Sequence, residues 1–368
     1  MGKHRLALCL AVLLLFSACG APTASQSETV PRMTEATSQV SKTAKASEIP
    51  SATGEIFAMD TYMTITCYGT QCQAALDAAL AEIQRLDDLL SVGNGDSEIS
   101  IINTQSSGTL SSETMEMVEA AIELSTQTQG AFDITVAPLM ELWGFTSGNF
   151  SVPETTELQA LLDCVGSEKL TLDESTATLT LGAGQGIDLG GIAKGYTSGR
   201  LMEIFAEYDL VSGLVSLGGN VQCYGTKPDG SLWRCGIQDP LNPEDTANLL
   251  GILSVADRAV ITSGAYERYF VEEETGETYH HILDPRNGYP ANAGLISVTV
   301  VSENGMLADG LSTACYVMGL EESIHYWEKY GSDFDLILMT EDGEIYVTEP
   351  LEASFTSDYP THIIAKEA

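Results

Sequence analysis

Apolar residues along this chain repeat in two ways, at every second position and at every third or fourth, which separates strands from helices. The first clear strand pattern is Thr61–Tyr68. After it, Leu76, Leu80, Ile83, Leu86 and Leu90 fall on one helical stripe, and Thr70 with Gln73 has the spacing of a capping box at its start. A second helix is predicted from near Ser112, presenting Met115, Val118 and Ile122, with Gly130 suited to its C-terminal cap. Strand-like runs follow at Thr178–Leu181, Leu214–Leu217, Leu250–Val255, Ala259–Ile261, Leu295–Val301 and Phe334–Met339. Helices at Ile192–Tyr208 and Asn304–Met318 interrupt them. Strands are joined by short turns as often as by helices, so the fold class is α+β rather than strict βαβ repetition. No internal repeat and no linker within the patterned region is visible.

The ends read differently. Lys3, His4 and Arg5 precede an apolar run, Leu6–Phe16, that is too short to span a bilayer as a finished helix. Phe16-Ser17-Ala18-Cys19 resembles a bacterial lipobox, so residues 1–18 read as a lipoprotein signal peptide and Cys19 as the lipidated first residue of the mature protein. Ordinary cleavage near Ala18 beside an incidental cysteine is the alternative. Residues 19–53 are rich in Ser, Thr, Ala and Gln without apolar periodicity, which predicts a disordered tether. Residues 351–368 read as a C-terminal tail. The expected address is the extracytoplasmic face of a bacterial cell membrane, held by a lipid anchor.

A formal net charge of −36 makes nucleic acid and anionic lipid headgroups poor partners. Any phosphate ligand therefore needs a local concentration of positive groups. Cys67, Cys72, Cys164, Cys223, Cys235 and Cys315 form no CxxC and no zinc-ligand spacing with histidine. They read as scattered buried thiols; an extracytoplasmic address permits disulfides, but the sequence assigns no pairs.

The strongest chemical signal is Ile187-Asp188-Leu189-Gly190-Gly191-Ile192-Ala193-Lys194-Gly195. Ala193, Tyr196, Leu201, Ile204 and Tyr208 recur at helical spacing, which sets Gly190 and Gly191 at a helix N-terminus with Lys194 in the first turn. Unpaired N–H groups, the helix dipole and a lysine suit phosphate, although a plain glycine-rich turn fits the same stretch. Asp309 and Thr313 lie four apart on one helix face in a small, apolar context, and supply the hard oxygen donors that Mg²⁺ prefers. His281, just before a proline-fixed turn, is a candidate proton acceptor; a histidine bonded to backbone is the alternative.

In their order and separations, Gly130–Thr135, Asp188–Lys194, Val215–Asn220, Ile261–Gly264, His280–Gly288 and Leu307–Ala314 resemble the ApbE family of FAD:protein FMN transferases. The resemblance covers residues 54–350 and implies a two-lobed α+β fold with mixed and antiparallel sheets, flanking helices and a flavin site between the lobes. It implies that FAD is the substrate, contacted by Met59, Ala131, Phe132, Asp133, Asp188, Lys194 and Leu283. It implies Mg²⁺ on Asp309, Thr313 and the main-chain oxygen of Gly191, with His281 or Asp309 assisting proton transfer. The partner would be a redox-pump or FMN-binding-domain protein whose threonine receives FMN as AMP leaves.

One departure stands out. Many relatives carry a flavin-stacking aromatic where this chain has Gly93, and none lies nearby in Ser91–Ser97. Hydrolysis of FAD to FMN and AMP is therefore an alternative outcome. A lipid-anchored flavin- or solute-binding protein is the alternative from another class, and it would return FAD intact.

Overall fold

The computed structural model describes residues 49–245 and 247–366. The signal peptide, Cys19 and nearly all of the expected tether lie outside the described residues. The chain opens with the hairpin β1 (Ser51–Ala58) and β2 (Thr61–Tyr68), then α1 (Cys72–Leu90), α2 (Glu98–Gln105), β3 (Ser107–Thr109) and α3 (Ser112–Gln127). Next come α4 (Ala137–Leu142), α5 (Thr155–Leu162), β4 (Thr171–Asp173), β5 (Thr178–Thr180) and α6 (Ala193–Glu207). The strands β6 (Ser212–Leu217), β7 (Asn220–Tyr224), β8 (Trp233–Gln238), β9 (Leu249–Val255) and β10 (Ala259–Gly264) follow. A short ribbon, β11 (Tyr269–Val271) and β12 (Thr278–His280), leads to β13 (Leu295–Ser302) and α7 (Gly305–Tyr330). The chain finishes with β14 (Phe334–Thr340), β15 (Ile345–Thr348), β16 (Phe355–Thr356) and β17 (Thr361–Ile364).

A nine-stranded sheet in the order β1-β2-β6-β7-β10-β13-β14-β15-β17 forms the frame. Its pairings are antiparallel except β15 with β17, so the sheet is mixed, as the α+β reading expects. Both faces are covered in its centre. Ile261, Val298, Val300, Leu336 and Leu338 point to the side where α3, α6 and α7 pack, while Val260, Val301, Ile337 and Met339 point to the small sheet β16-β9-β8. Successive side chains of a strand face opposite ways, so a strand buried on both faces is a continuous apolar run. No helix among the described residues is long and apolar enough to cross a membrane.

Several sequence expectations need correction. β1 pairs with β2 from Ser51 onward, so the folded region already includes residues 51–53, which had read as tether. Within the segment read as a C-terminal tail, β16 joins the small sheet and β17 pairs with β15 at the edge of the large one. Both segments are too short and polar to show an alternating pattern. The capping box at Thr70 is not made. The helix begins at Cys72 behind Gln71, and Gln73 bonds Asp77 at 2.9 Å instead. In α3 the buried face is Met117, Val118, Ala121 and Leu124, with Met115 and Ile122 at its margin. That helix ends in a Schellman motif: Gln129 takes the left-handed conformation (φ +54°) and the Gly130 N–H donates to Ser125 O at 2.8 Å. The helix expected to stop at Met318 continues to Tyr330 across a break at Gly319 (φ +81°).

Candidate active site

The tip of the first hairpin is strained. Met59 (φ +48°) and Asp60 (φ +58°) occupy the two-residue turn, where glycine or asparagine is usual. A methionine in the left-handed region costs energy and persists where its surroundings hold it. Here Asp87 Oδ1 accepts the Met59 N–H at 2.9 Å, and the Thr197 hydroxyl of α6, which donates to Ala193 O, lies 3.8 Å from the Met59 sulfur. The tip therefore rests against the first turns of α6.

That first turn is built by Asp188 and the glycines after it. The Asp188 N–H donates to Ile134 O at 2.8 Å, and its Oδ1 accepts the Gly190 N–H at 2.7 Å. Burial pushes the Asp188 carboxyl above its ordinary range, while the Gly190 N–H, Arg268 and Lys194 oppose the shift and Asp60 adds to it. Lys194 Nζ reaches Gly190 O at 3.3 Å, so the ammonium stays over the helix start. The N-terminus is thus partly filled by the chain's own carboxylates rather than left open to phosphate.

Asp309 completes this arrangement. An added Cβ on Gly195 would meet Gly305 O at 2.2 Å and Asp309 Cβ at 2.6 Å, so α6 and α7 cross at a point that requires glycine. The contact delivers Asp309 Oδ2 to the Gly195 N–H at 2.8 Å. Gly191 lies before the N-cap, Ile192, so its carbonyl is outside the hydrogen-bond ladder of α6. Thr313 lies one turn beyond Asp309 and faces the same place: its Oγ1 is 3.9 Å from where a Gly191 Cβ would stand. Burial raises the Asp309 carboxyl pKa, opposed by Lys194, the Asn220 amide and the Gly195 N–H. Asn220 Nδ2, itself buried, has no hydrogen-bond partner among the described residues.

His281 stands beside this centre. Its Nδ1 faces Arg268 O at 3.1 Å. A carbonyl only accepts, so Nδ1 carries the proton and Nε2 presents a lone pair. Burial, followed by the Arg268 charge, pushes the imidazole pKa down to about 3, which keeps it a neutral proton acceptor. Its neighbour His280 is structural: Nε2 donates to Ala291 O at 3.0 Å and the ring meets Tyr316 edge-on.

Other predicted flavin contacts hold the scaffold. Ala131 and Phe132 are 0% and 4% exposed in the main core, and the Phe132 ring lies directly beneath Gly191 and Gly310. Asp133 is committed to protein donors: Oδ1 accepts from Thr135 N (2.8 Å) and Oγ1 (2.6 Å), and Oδ2 from Ser125 Oγ (3.0 Å) and Ser167 N (2.8 Å). A carboxylate so occupied fixes the loop and leaves no lone pair for a ribose. The Leu283 side chain packs with Leu139, Trp143, Phe145 and Leu158, which leaves its backbone for a contact with flavin. Asp284 is a turn residue, paired with Arg286 Nε at 2.9 Å.

Three polar groups near the centre were not anticipated. Burial raises Glu267 to about 7, with Lys194 lowering and Asp309 raising it. Its Oε1 is 3.8 Å from a would-be Cβ on Gly219 in the β6–β7 turn. Arg268 and Asn220 complete the set. Each follows a glycine motif, Ile261–Gly264 or Gly218-Gly219, and that adjacency was the available signal. Around Lys194 and Arg268 the carboxylates of Asp60, Asp188, Glu267 and Asp309 outnumber the cations.

The comparisons with known proteins agree with one another. The ApbE family model matches residues 59–338. The chain is 33% identical over 289 residues to the FAD:protein FMN transferase of Klebsiella pneumoniae (strain 342), across 76% of this chain and 88% of that protein. It is 34% identical over 276 residues to the FAD:protein FMN transferase of Vibrio cholerae, across 74% and 80% respectively. The fold matches the crystal structure of the ApbE protein from Thermotoga maritima with a TM-score of 0.77 and 32% identity, across 83% of this chain and 99% of that one.

Proposed function

The chain belongs to the ApbE family, and on that premise we propose that it transfers FMN from FAD to a threonine hydroxyl of an acceptor protein, releasing AMP. The observation that carries the reading is the Gly195–Asp309 hydrogen bond of 2.8 Å, which holds the Asp309 carboxylate at the start of α6, where Thr313 also reaches Gly191. Those oxygens form a hard donor set suited to Mg²⁺, with no sulfur or imidazole among them. A pyrophosphate entering among so many carboxylates needs such a cation. Bound there, Mg²⁺ would neutralise charge on the phosphate oxygens.

The chain's own residues would do the rest. Lys194 and the Asn220 amide address phosphate oxygens, and the α6 terminus orients the pyrophosphate. His281 Nε2 accepts the proton of the acceptor hydroxyl as its oxygen bonds to the FMN phosphorus. The bond from that phosphorus to the AMP oxygen breaks, and AMP leaves. Asp133, Phe132 and Ala131 keep the loop and the floor of the site in place. The acceptor would be a redox-pump or FMN-binding-domain protein, met at the extracytoplasmic face where a lipid on Cys19 would hold the enzyme.

Water in place of the hydroxyl gives FMN and AMP, and Gly93 favours this second reading. It lies in an exposed turn where an added Cβ would touch only Ser91 Oγ at 3.8 Å, so nothing from this turn stacks on a flavin. The test is incubation of the protein with FAD, Mg²⁺ and a threonine-bearing acceptor, followed by mass spectrometry. An acceptor heavier by one FMN supports transfer, and free FMN alone supports hydrolysis. Intact FAD in every arm would leave only a flavin-binding protein.

A further inference from the structure

Among the described residues Cys223 and Cys235 are the thiols in contact, with Sγ atoms 3.8 Å apart. Of the others, Cys67 donates to Cys72 O at 3.2 Å with the Cys72 thiol close by, Cys164 faces Ala160 O and Cys315 is in α7. We infer that Cys223 and Cys235 form a structural disulfide that ties the nine-stranded sheet to the small sheet packed on it. Cys223 lies on β7 of the large sheet, and Cys235 lies on β8 of the small one, opposite Leu253. Both side chains sit in the same apolar cluster with Trp233, Val260 and Val301. Bringing the sulfurs to bonding distance requires only a small closing movement across a layer that is already packed.

The position has a consequence for the site. Cys223 is three residues past Asn220 on the same short strand, and between them Gln222 accepts a hydrogen bond from Ser198 of α6 at 2.5 Å. A cross-link at Cys223 would pin the strand that carries the amide beside Asp309 and supports α6. It would also close the connection of residues 225–232, which shortens the unfolded chain's reach.

In the bond-forming step two S–H bonds break and one S–S bond forms. A soluble disulfide takes up the two electrons and two protons and becomes two thiols. Cys223 and Cys235 are 1% and 7% exposed, so an oxidant reaches them while the chain folds rather than afterwards.

The experiment is to refold the reduced full chain in a glutathione redox buffer, block remaining thiols and map peptides without reduction. A Cys223–Cys235 cross-linked pair is expected, with the other cysteines alkylated. The oxidised protein should melt roughly 5 °C above the reduced one. A C223A/C235A double variant should lose that response to reductant. As a second sample, protein purified natively through an oxidising compartment is mapped in the same way, so the test does not depend on refolding yield. Free Cys223 and Cys235 in folded, oxidised protein, or either one paired elsewhere, would overturn the assignment.

Discussion

The Gly195 N–H donates to Asp309 Oδ2 at 2.8 Å, and this bond joins two helices that are far apart in sequence. It satisfies one of the orphan donors at the start of α6 and fixes a buried carboxylate whose other oxygen stays available. Gly191, ahead of the N-cap Ile192, keeps its carbonyl outside the ladder of α6. One hydrogen bond thus fixes the carboxylate proposed to hold Mg²⁺ beside the carbonyl of Gly191. The close approach of Gly195 and Gly305 is what permits it.

Asp309→Asn should separate structure from chemistry. The amide oxygen can still accept the Gly195 N–H, so the thermal midpoint should change little, whereas losing the charge should lower FAD turnover by about 100-fold or more. Asp309→Ala should also lose turnover, and should destabilise by about 1–3 kcal/mol because a buried N–H is left unpaired. Near-normal turnover of the asparagine variant at limiting Mg²⁺ would remove Asp309 from the metal site.

Lys194→Ala should weaken FAD by roughly tenfold and riboflavin hardly at all, since its ammonium sits over the helix start and addresses phosphate. Titration of both ligands by fluorescence quenching gives the comparison. Equal losses would point to a lysine that serves only to offset Asp188, Glu267 and Asp309.

The contiguous motifs made much of this centre readable beforehand. Asp188, Lys194, His281, Asp309 and Thr313 were singled out from short segments, and the fold brings them to the start of α6. The anchoring of the Asp133 side chain was not legible, because its donors, Ser125, Thr135 and Ser167, come from separate segments and the sequence does not show that they converge. Phe132, an implied FAD contact, is the floor under Gly191, a placement that no local pattern shows. Glu267 carries no pattern of its own, and its significance comes from burial beside Lys194. β17 escaped notice because a four-residue strand, Thr361–Ile364, gains its stability from β15 and not from local propensity.

Stability should depend on pH through Glu267 and His281, in opposite senses. Glu267 titrates at about 7 in the fold against an ordinary 4.5, so the folded state holds the extra proton and stability falls as pH rises across that interval. His281 titrates at about 3 against an ordinary 6.5, so the unfolded state holds the extra proton and stability falls as pH drops across that interval. Between 4.5 and 6.5 the two effects oppose each other. Glu267→Gln should therefore gain thermal stability over wild type as pH rises from 4.5 to 7, with the difference levelling above. Melting curves in chelator without flavin provide the check, and a difference that does not vary with pH would refute the burial of this carboxyl.

His281→Ala should lower the rate of FMN transfer by roughly 10²–10⁴-fold while FAD still binds, because a neutral imidazole with a fixed tautomer acts on the proton and not on the ligand's affinity. Single-turnover rates beside equilibrium binding would show the split. An affinity loss that matches the rate loss would make His281 a structural residue held by Arg268.

On the proposed function, Gly93 would set how firmly the flavin is held. The turn around it is exposed, its backbone is not in the left-handed region, and a side chain there would meet only Ser91 Oγ at 3.8 Å. A tyrosine can therefore be introduced without strain, and an aromatic face on the isoalloxazine would add about 0.5–1.5 kcal/mol beyond burial. That corresponds to roughly a 2- to 13-fold longer hold on FAD and FMN if it acts on dissociation. Wild type, lacking the stack, should release free FMN and AMP from FAD in the presence of Mg²⁺ when no acceptor is present. Gly93→Tyr should release FMN more slowly and stay yellow through purification. Chromatography of released FMN, with bound flavin measured on the same samples, makes the comparison. If wild type released no FMN yet modified an acceptor threonine efficiently, water would be excluded from the site by something other than an aromatic at this position, and transfer alone would remain.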